Sequence, residues 1–115
     1  MAILAAIGQG TIPADHFTHT ARWWWNGGLD LPVADFLALL GQLHGQTVEG
    51  IHVLPGLIAE NGDSLFIEAT SHALLHNGTV YDNRYVFRFT FRDSLVDLVK
   101  EYSDSAHVNA VFALS

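Results

Sequence analysis

Apolar positions recur at two different periods, and the change of period divides the chain. Between residues 33 and 43 they fall at Val33, Phe36, Leu37, Leu40 and Leu43, the spacing that collects side chains on one face of a helix. Leu31-Pro32 leads into this segment, and Gly41 or Gly45 marks its end. From residue 48 onward the segments are strand-like, rich in β-branched and aromatic residues. Val48–Ile58 (punctuated by Pro55-Gly56), Ser64–Leu75, Thr79–Phe91 and Leu95–Ser103 are predicted strands. Asn61-Gly62-Asp63, Asn77-Gly78 and Arg92-Asp93-Ser94 are the turns between them. Before residue 30, Met1–Ile7 is predicted as a short helix ended by Gly8 and Gly10. Pro13–Phe17 is predicted as a second, with Pro early and Asp15 in its first turn. Arg22–Trp25 is an aromatic strand broken by Asn26-Gly27-Gly28. Helices gathered early and a meander late predict an α+β domain over residues 1–115, with helices on one face of an antiparallel sheet.

The segment 79–91 suggests where a ligand would go. Strict alternation puts Tyr81, Asn83, Tyr85, Phe87 and Phe89 on one face, and Asp82, Arg84, Val86, Arg88 and Thr90 on the other. An aromatic face with a few convergent polar tips suits a pocket lining, and equally a filled core. Composition leans toward a covered apolar surface. Half of the residues are hydrophobic and 15% are charged, where about 25% is usual. Such a chain hides apolar area in a cavity or against another subunit, and a homodimer is expected. The net charge of −7 with only five Lys and Arg excludes nucleic acid and anionic membranes as natural partners. With no cysteine, disulfides and thiolate metal sites are excluded. The apolar runs are far shorter than the ~20 residues of a membrane span. Met1–Ile7 lacks the basic start of a signal peptide, so a cytoplasmic location is expected. Seven histidines are present, but no His-Glu-x-x-His or comparable cluster, and no metal or other cofactor is expected.

The C-terminal half resembles a known family. Asn77-Gly78-Thr79-Val80-Tyr81-Asp82-Asn83-Arg84-Tyr85, Val86-Phe87-Arg88-Phe89 and Glu101-Tyr102-Ser103-Asp104 are similar to the Gly-x-x-Tyr-x-Asn-x-Tyr strand and final Glu-Tyr-x-Asp strand of SnoaL-like proteins. These belong with ketosteroid isomerases, limonene-epoxide hydrolases and polyketide cyclases in the nuclear transport factor 2-like superfamily. The resemblance implies a conical, barrel-like fold, in which a curved antiparallel sheet wraps N-terminal helices around an internal pocket. The family usually has a longer first helix, and Gly where Ser94 stands.

The resemblance also implies where chemistry would sit. The isomerases' catalytic carboxylate corresponds to Trp25. The epoxide hydrolases' Tyr corresponds to Trp23, and their Arg–Asp–Asp stations to Glu68, Thr70 and Glu101. Tryptophan is only a donor and cannot act as a base, so the familiar chemistry is removed or rewritten. Glu68, Thr70 and His72 alternate and share a strand face. If that face lines the cavity, Glu68 and His72 are the candidate acid and base, tuned by Glu101. Trp23, Trp25, Asn26, Thr70, Asn83, Tyr85, Phe87 and Asp104 are the candidate ligand contacts, with the two tryptophans forming an aromatic wall. Glu101 and Asp104 cannot both point inward from a regular strand, so one of them is structural, capping the chain end. The expected function is binding or cofactor-free acid–base conversion of a small apolar molecule, polyketide-, steroid- or terpenoid-like. The alternative is a non-catalytic binding or dimeric interaction module.

Overall fold

The computed structural model describes residues 14–112. The predicted helix Met1–Ile7 lies outside them. Of the predicted helix 13–17, a single 3-10 turn is present, Ala14–His16. It runs directly into β1 (Phe17–Trp25), which is longer than the aromatic segment alone suggested. There follow β2 (Leu29–Pro32), α1 (Val33–Gly45), β3 (His52–Asn61), β4 (Ser64–Leu74), β5 (Val80–Arg92), β6 (Leu95–Ser103) and α2 (Ser105–Phe112).

Helix α1 buries Val33, Phe36 and Leu40, as its apolar spacing requires. Its C-terminal end is tied off by Thr47, whose hydroxyl donates to the His44 carbonyl and accepts the Gly50 N–H. This loop delays the next strand, so β3 starts at His52 and Val48 is left exposed. Helix α2 was not expected from the sequence. Asp104 caps it, its Oδ1 accepting the His107 N–H at 3.2 Å, so of the two acids near the chain end Asp104 is the structural one.

The six strands form one sheet in the order β2-β1-β6-β5-β4-β3. Four pairings are antiparallel, but β1 and β6 run parallel, with Trp23 opposite Val99 and Trp25 opposite Glu101. The curved antiparallel sheet expected from the sequence is present in four of the five pairings, with β1–β6 its parallel exception. The cause is topological: the chain leaves the sheet after β2 and fills its other half before β6 returns to the open side of β1. Register irregularities in β1–β6, β3–β4 and β5–β6 bend the sheet, and among the described residues β2 and β3 are its edges. The β5–β6 turn places both Asp93 and Ser94 at positive φ (52° and 69°), the backbone of a primed hairpin turn that glycine would adopt with less strain.

Side chains from the concave face meet the helices in two adjoining apolar clusters. One holds Trp23, Phe36, Ile67, Phe87 and Phe89, and the other Trp25, Ile51, Tyr81, Val108 and Phe112. Among the described residues, no helix is long and apolar enough to cross a membrane.

Candidate functional site

A partly open pocket of about 60 Å³ lies between the two clusters. Strand β1 supplies Trp23 and Trp25, and β5 supplies Tyr81, Tyr85 and Phe87. Helix α1 adds Phe36 and three leucines, α2 adds Val108 and Phe112, and β6 adds Glu101. Among the described residues, Glu101 is the one acidic residue of the lining, and no Lys, Arg or His joins it.

Each tryptophan of the wall is fixed in two ways. The Trp23 ring stacks on Phe36 at 4.2 Å, and its Nε1–H donates to Glu101 Oε1 at 2.9 Å. The Trp25 Nε1–H donates to Ser103 Oγ at 2.9 Å. Its indole lies directly over Gly27, where an added Cβ would meet ring atoms at 2.2 Å. Trp24 points to the opposite face, beside Tyr102 and beneath the Lys100 ammonium.

The polar end of the pocket is a chain of hydroxyls. Ser71 Oγ and Tyr85 Oη are 2.8 Å apart, as are Tyr85 Oη and Tyr81 Oη, while the Asn83 amide donates to Tyr81 Oη at 2.9 Å. Three hydroxyls carry three hydrogens, and two close the links between them. One O–H is thus left without an acceptor among the described residues, and Tyr81 and Tyr85 both border the pocket. Burial pushes the Tyr85 phenol far above its ordinary range and raises Tyr81 as well, with the Glu101 charge adding to both. Both therefore remain donors at any ordinary pH.

Glu101 is the lining group brought into the neutral range. Loss of hydration pushes its carboxyl up to about 7, only partly offset by the Trp23 N–H. A group titrating near neutrality can take up or release a proton under working conditions.

Of the residues predicted from sequence, Trp23, Trp25, Tyr85, Phe87 and Glu101 line the pocket. Asn83 is buried just behind it. Its amide bonds Tyr81 and the Asp104 carbonyl, and its oxygen accepts the Asp104 and Arg84 N–H groups. Asn26 lies outside, exposed, clamping the backbone of Ser103 through both side-chain atoms. Asp104 caps α2 rather than entering the pocket.

Glu68, Thr70 and His72 do share a strand face, but it is the exposed one. His72 Nδ1 pairs there with Asp82 at 2.5 Å. The inward residues of β4 are Ile67, Ala69, Ser71 and Ala73. Their small side chains lie opposite the large ones of β5, Ala69 beside Tyr85 and Ala73 beside Tyr81, and bulkier groups would fill the space the aromatics need. The convergence expected of Glu68, Thr70 and His72 in the cavity is thus corrected. Sequence reasoning missed Ser71 and the role of Tyr81, although Tyr81 shares the alternation of Tyr85. Among the described residues, no group of three or more His, Cys, Asp or Glu is placed to hold a metal ion.

No protein-family model matches the chain, and no curated protein matches it in sequence. Solved structures match it closely in shape. PrhC from Penicillium brasilianum superposes with a TM-score of 0.83 at 14% identity, covering 96% of this chain and 81% of its own. A protein of ketosteroid isomerase-like fold from Catenulispora acidiphila, solved in complex with trimethylamine, gives 0.81 at 15% identity and covers 99% and 91%. A Jannaschia protein described as a SnoaL-like polyketide cyclase gives 0.75 at 15% identity and covers 99% and 90%. At these identities the likeness is one of fold: the chain has the nuclear transport factor 2-like fold shared by SnoaL-like and ketosteroid isomerase-like proteins.

Proposed function

We propose that the pocket binds a small, largely apolar carbonyl compound and that Glu101 moves a proton on it. One observation carries this reading: a lone carboxyl, titrating near neutrality, sits in an aromatic pocket beside a hydroxyl chain with one uncommitted O–H. The carboxylate would remove a proton from the carbon next to the carbonyl, and the Tyr81–Tyr85 chain would donate to the oxygen as charge builds there. No cofactor is needed for such a step. Glu68 and His72, on the far side of the sheet, take no part. Of the polyketide-, steroid- and terpenoid-like classes, the 60 Å³ cavity favours compact members. An apolar cavity of roughly 150 Å³ is what holds a benzene ring, and a fused-ring ligand would need side chains to move.

The test is proton–deuterium exchange at the α-carbon across a panel of small ketones and aldehydes, followed by NMR. Exchange by the native protein, abolished in Glu101→Gln with ligand affinity retained, is the expected result. No exchange on any member overturns the catalytic reading.

A non-catalytic module is the second reading. The observation favouring it is that both tryptophans of the wall have their single donor already engaged, on Glu101 and Ser103. Binding of panel compounds without exchange would select it. The same proposal includes a homodimer through the outer sheet face, where Leu54, Val86 and Tyr102 are exposed; sedimentation equilibrium gives the mass.

A further inference from the structure

We propose that the ligand of this pocket carries a compact alkylated ammonium group, held among the aromatic rings with Glu101 as its counter-charge. This rests on the reading that the cavity is the binding site, and it goes beyond the proton-transfer chemistry, on which it does not depend.

The chain has five Lys and Arg in all: Arg22, Arg84, Arg88, Arg92 and Lys100. All five project from the convex side of the sheet, on the exposed or half-exposed steps of its strands. Arg22 pairs there with Asp30 and Arg92 with Asp97, while Arg88 lies over Phe66 and Lys100 over Trp24. Among the described residues, the pocket lining holds one carboxylate and no Lys, Arg or His, the nearest imidazole being His107, stacked on Tyr81. Among the described residues, the only side chain that hydrogen-bonds the Glu101 carboxylate is Trp23, through a neutral N–H. A half-buried carboxylate in an apolar lining, with no cationic side chain in that lining among the described residues, is an unbalanced arrangement.

The surroundings restrict what could balance it. Seven of the lining residues are aromatic, and ring faces attract cations through their quadrupole. Trp23 and Trp25 are held rigid by Phe36, Gly27 and their own N–H bonds, so the rings beside the carboxylate do not need ordering on binding. A primary ammonium would have to give up strong hydration to enter. An alkylated one spreads its charge over methyl groups that suit an apolar lining. A neutral hydrocarbon would touch the rings but leave the carboxylate bare. An anion would meet Glu101 and the field of a chain carrying −7. The volume of about 60 Å³ suits a head group, with the rest of the ligand leaving through the open side.

The experiment compares choline with its uncharged carbon isostere, dimethylbutanol, by calorimetric titration at about pH 8, on the native chain and on Glu101→Gln. Near-ultraviolet circular dichroism checks that the variant keeps its packing. The expected result is that choline binds roughly tenfold or more tightly than the isostere, and that this preference disappears in Glu101→Gln. Equal or weaker binding of choline, or a preference that survives Glu101→Gln, overturns the proposal. If the isostere binds and choline does not, only the ammonium proposal falls. If neither binds at tens of millimolar, the pocket reading falls with it.

Discussion

The two faces of the sheet are made from the same strands, one residue apart, and they share almost nothing else. On β5 the inner steps are Tyr81, Asn83, Tyr85, Phe87 and Phe89, all buried, while the outer steps carry Asp82, Arg84, Val86 and Arg88. Glu101 and Glu68 are the same side chain on opposite faces. One lies in an aromatic pocket with its carboxyl pushed up to about 7, and the other is exposed. The difference teaches that reactivity here belongs to the face and not to the residue type. Loss of hydration turns an ordinary carboxyl into an acid–base group, and a shift of one step along a strand removes it.

The sharpest way to break this contrast is to delete one aromatic from each face. Trp23→Ala removes a side chain that is 1% exposed, stacked on Phe36 and bonded to Glu101; it should cost about 3–5 kcal/mol in urea unfolding. Trp24→Ala, on the outer face, should cost about 1 kcal/mol or less.

Next in size is a pH effect. The folded-state value for Glu101 is raised, from 4.5 to about 7, so between those limits the folded chain holds a proton that the unfolded chain has released. This contribution to stability is present in full below about pH 4.5, declines as pH rises and is gone above about 7, a total on the order of 3 kcal/mol at most. The difference in stability between native protein and Glu101→Gln should trace this decline. Equilibrium unfolding at several pH values measures it.

A smaller effect is expected in the hydroxyl chain. Tyr85→Phe deprives both Ser71 and Tyr81 of a partner and should destabilise by about 1–2 kcal/mol. Smallest of all, His72→Ala breaks the exposed pair with Asp82 and should change stability by less than about 1 kcal/mol. A larger loss there would mean that the outer face is covered in solution.

How far the sequence showed these faces depended on side-chain contrast. β5 alternates aromatic with charged, so its two faces were legible, whereas Glu101 was singled out only by the family resemblance. β4 was misread because its inner residues, Ala69, Ser71 and Ala73, are small, while the polar Glu68, Thr70 and His72 drew attention as chemistry. Only the register against β5, small beside large, decides the matter. Helix α2 escaped because eight residues carry little periodic signal; its two anchors, Val108 and Phe112, are a single i, i+4 pair. The parallel pairing of β1 with β6 is a long-range contact, and no local pattern encodes it.

That pairing also bears on synthesis at the ribosome. Trp23 and its partner Glu101 are 78 residues apart, so at roughly 5–20 residues per second the earlier strand waits about 4–16 s for the later one to be made. Throughout that interval β1 offers three adjacent tryptophans and one vacant strand edge to its surroundings, and its hairpin with the four-residue β2 is too short to hide them. The nascent chain is therefore most vulnerable to aggregation, and most in need of a chaperone, until β6 has left the exit tunnel. A stop codon placed just before residue 95 should yield a product that aggregates, although it retains five of the six strands and most of the aromatic residues of the pocket.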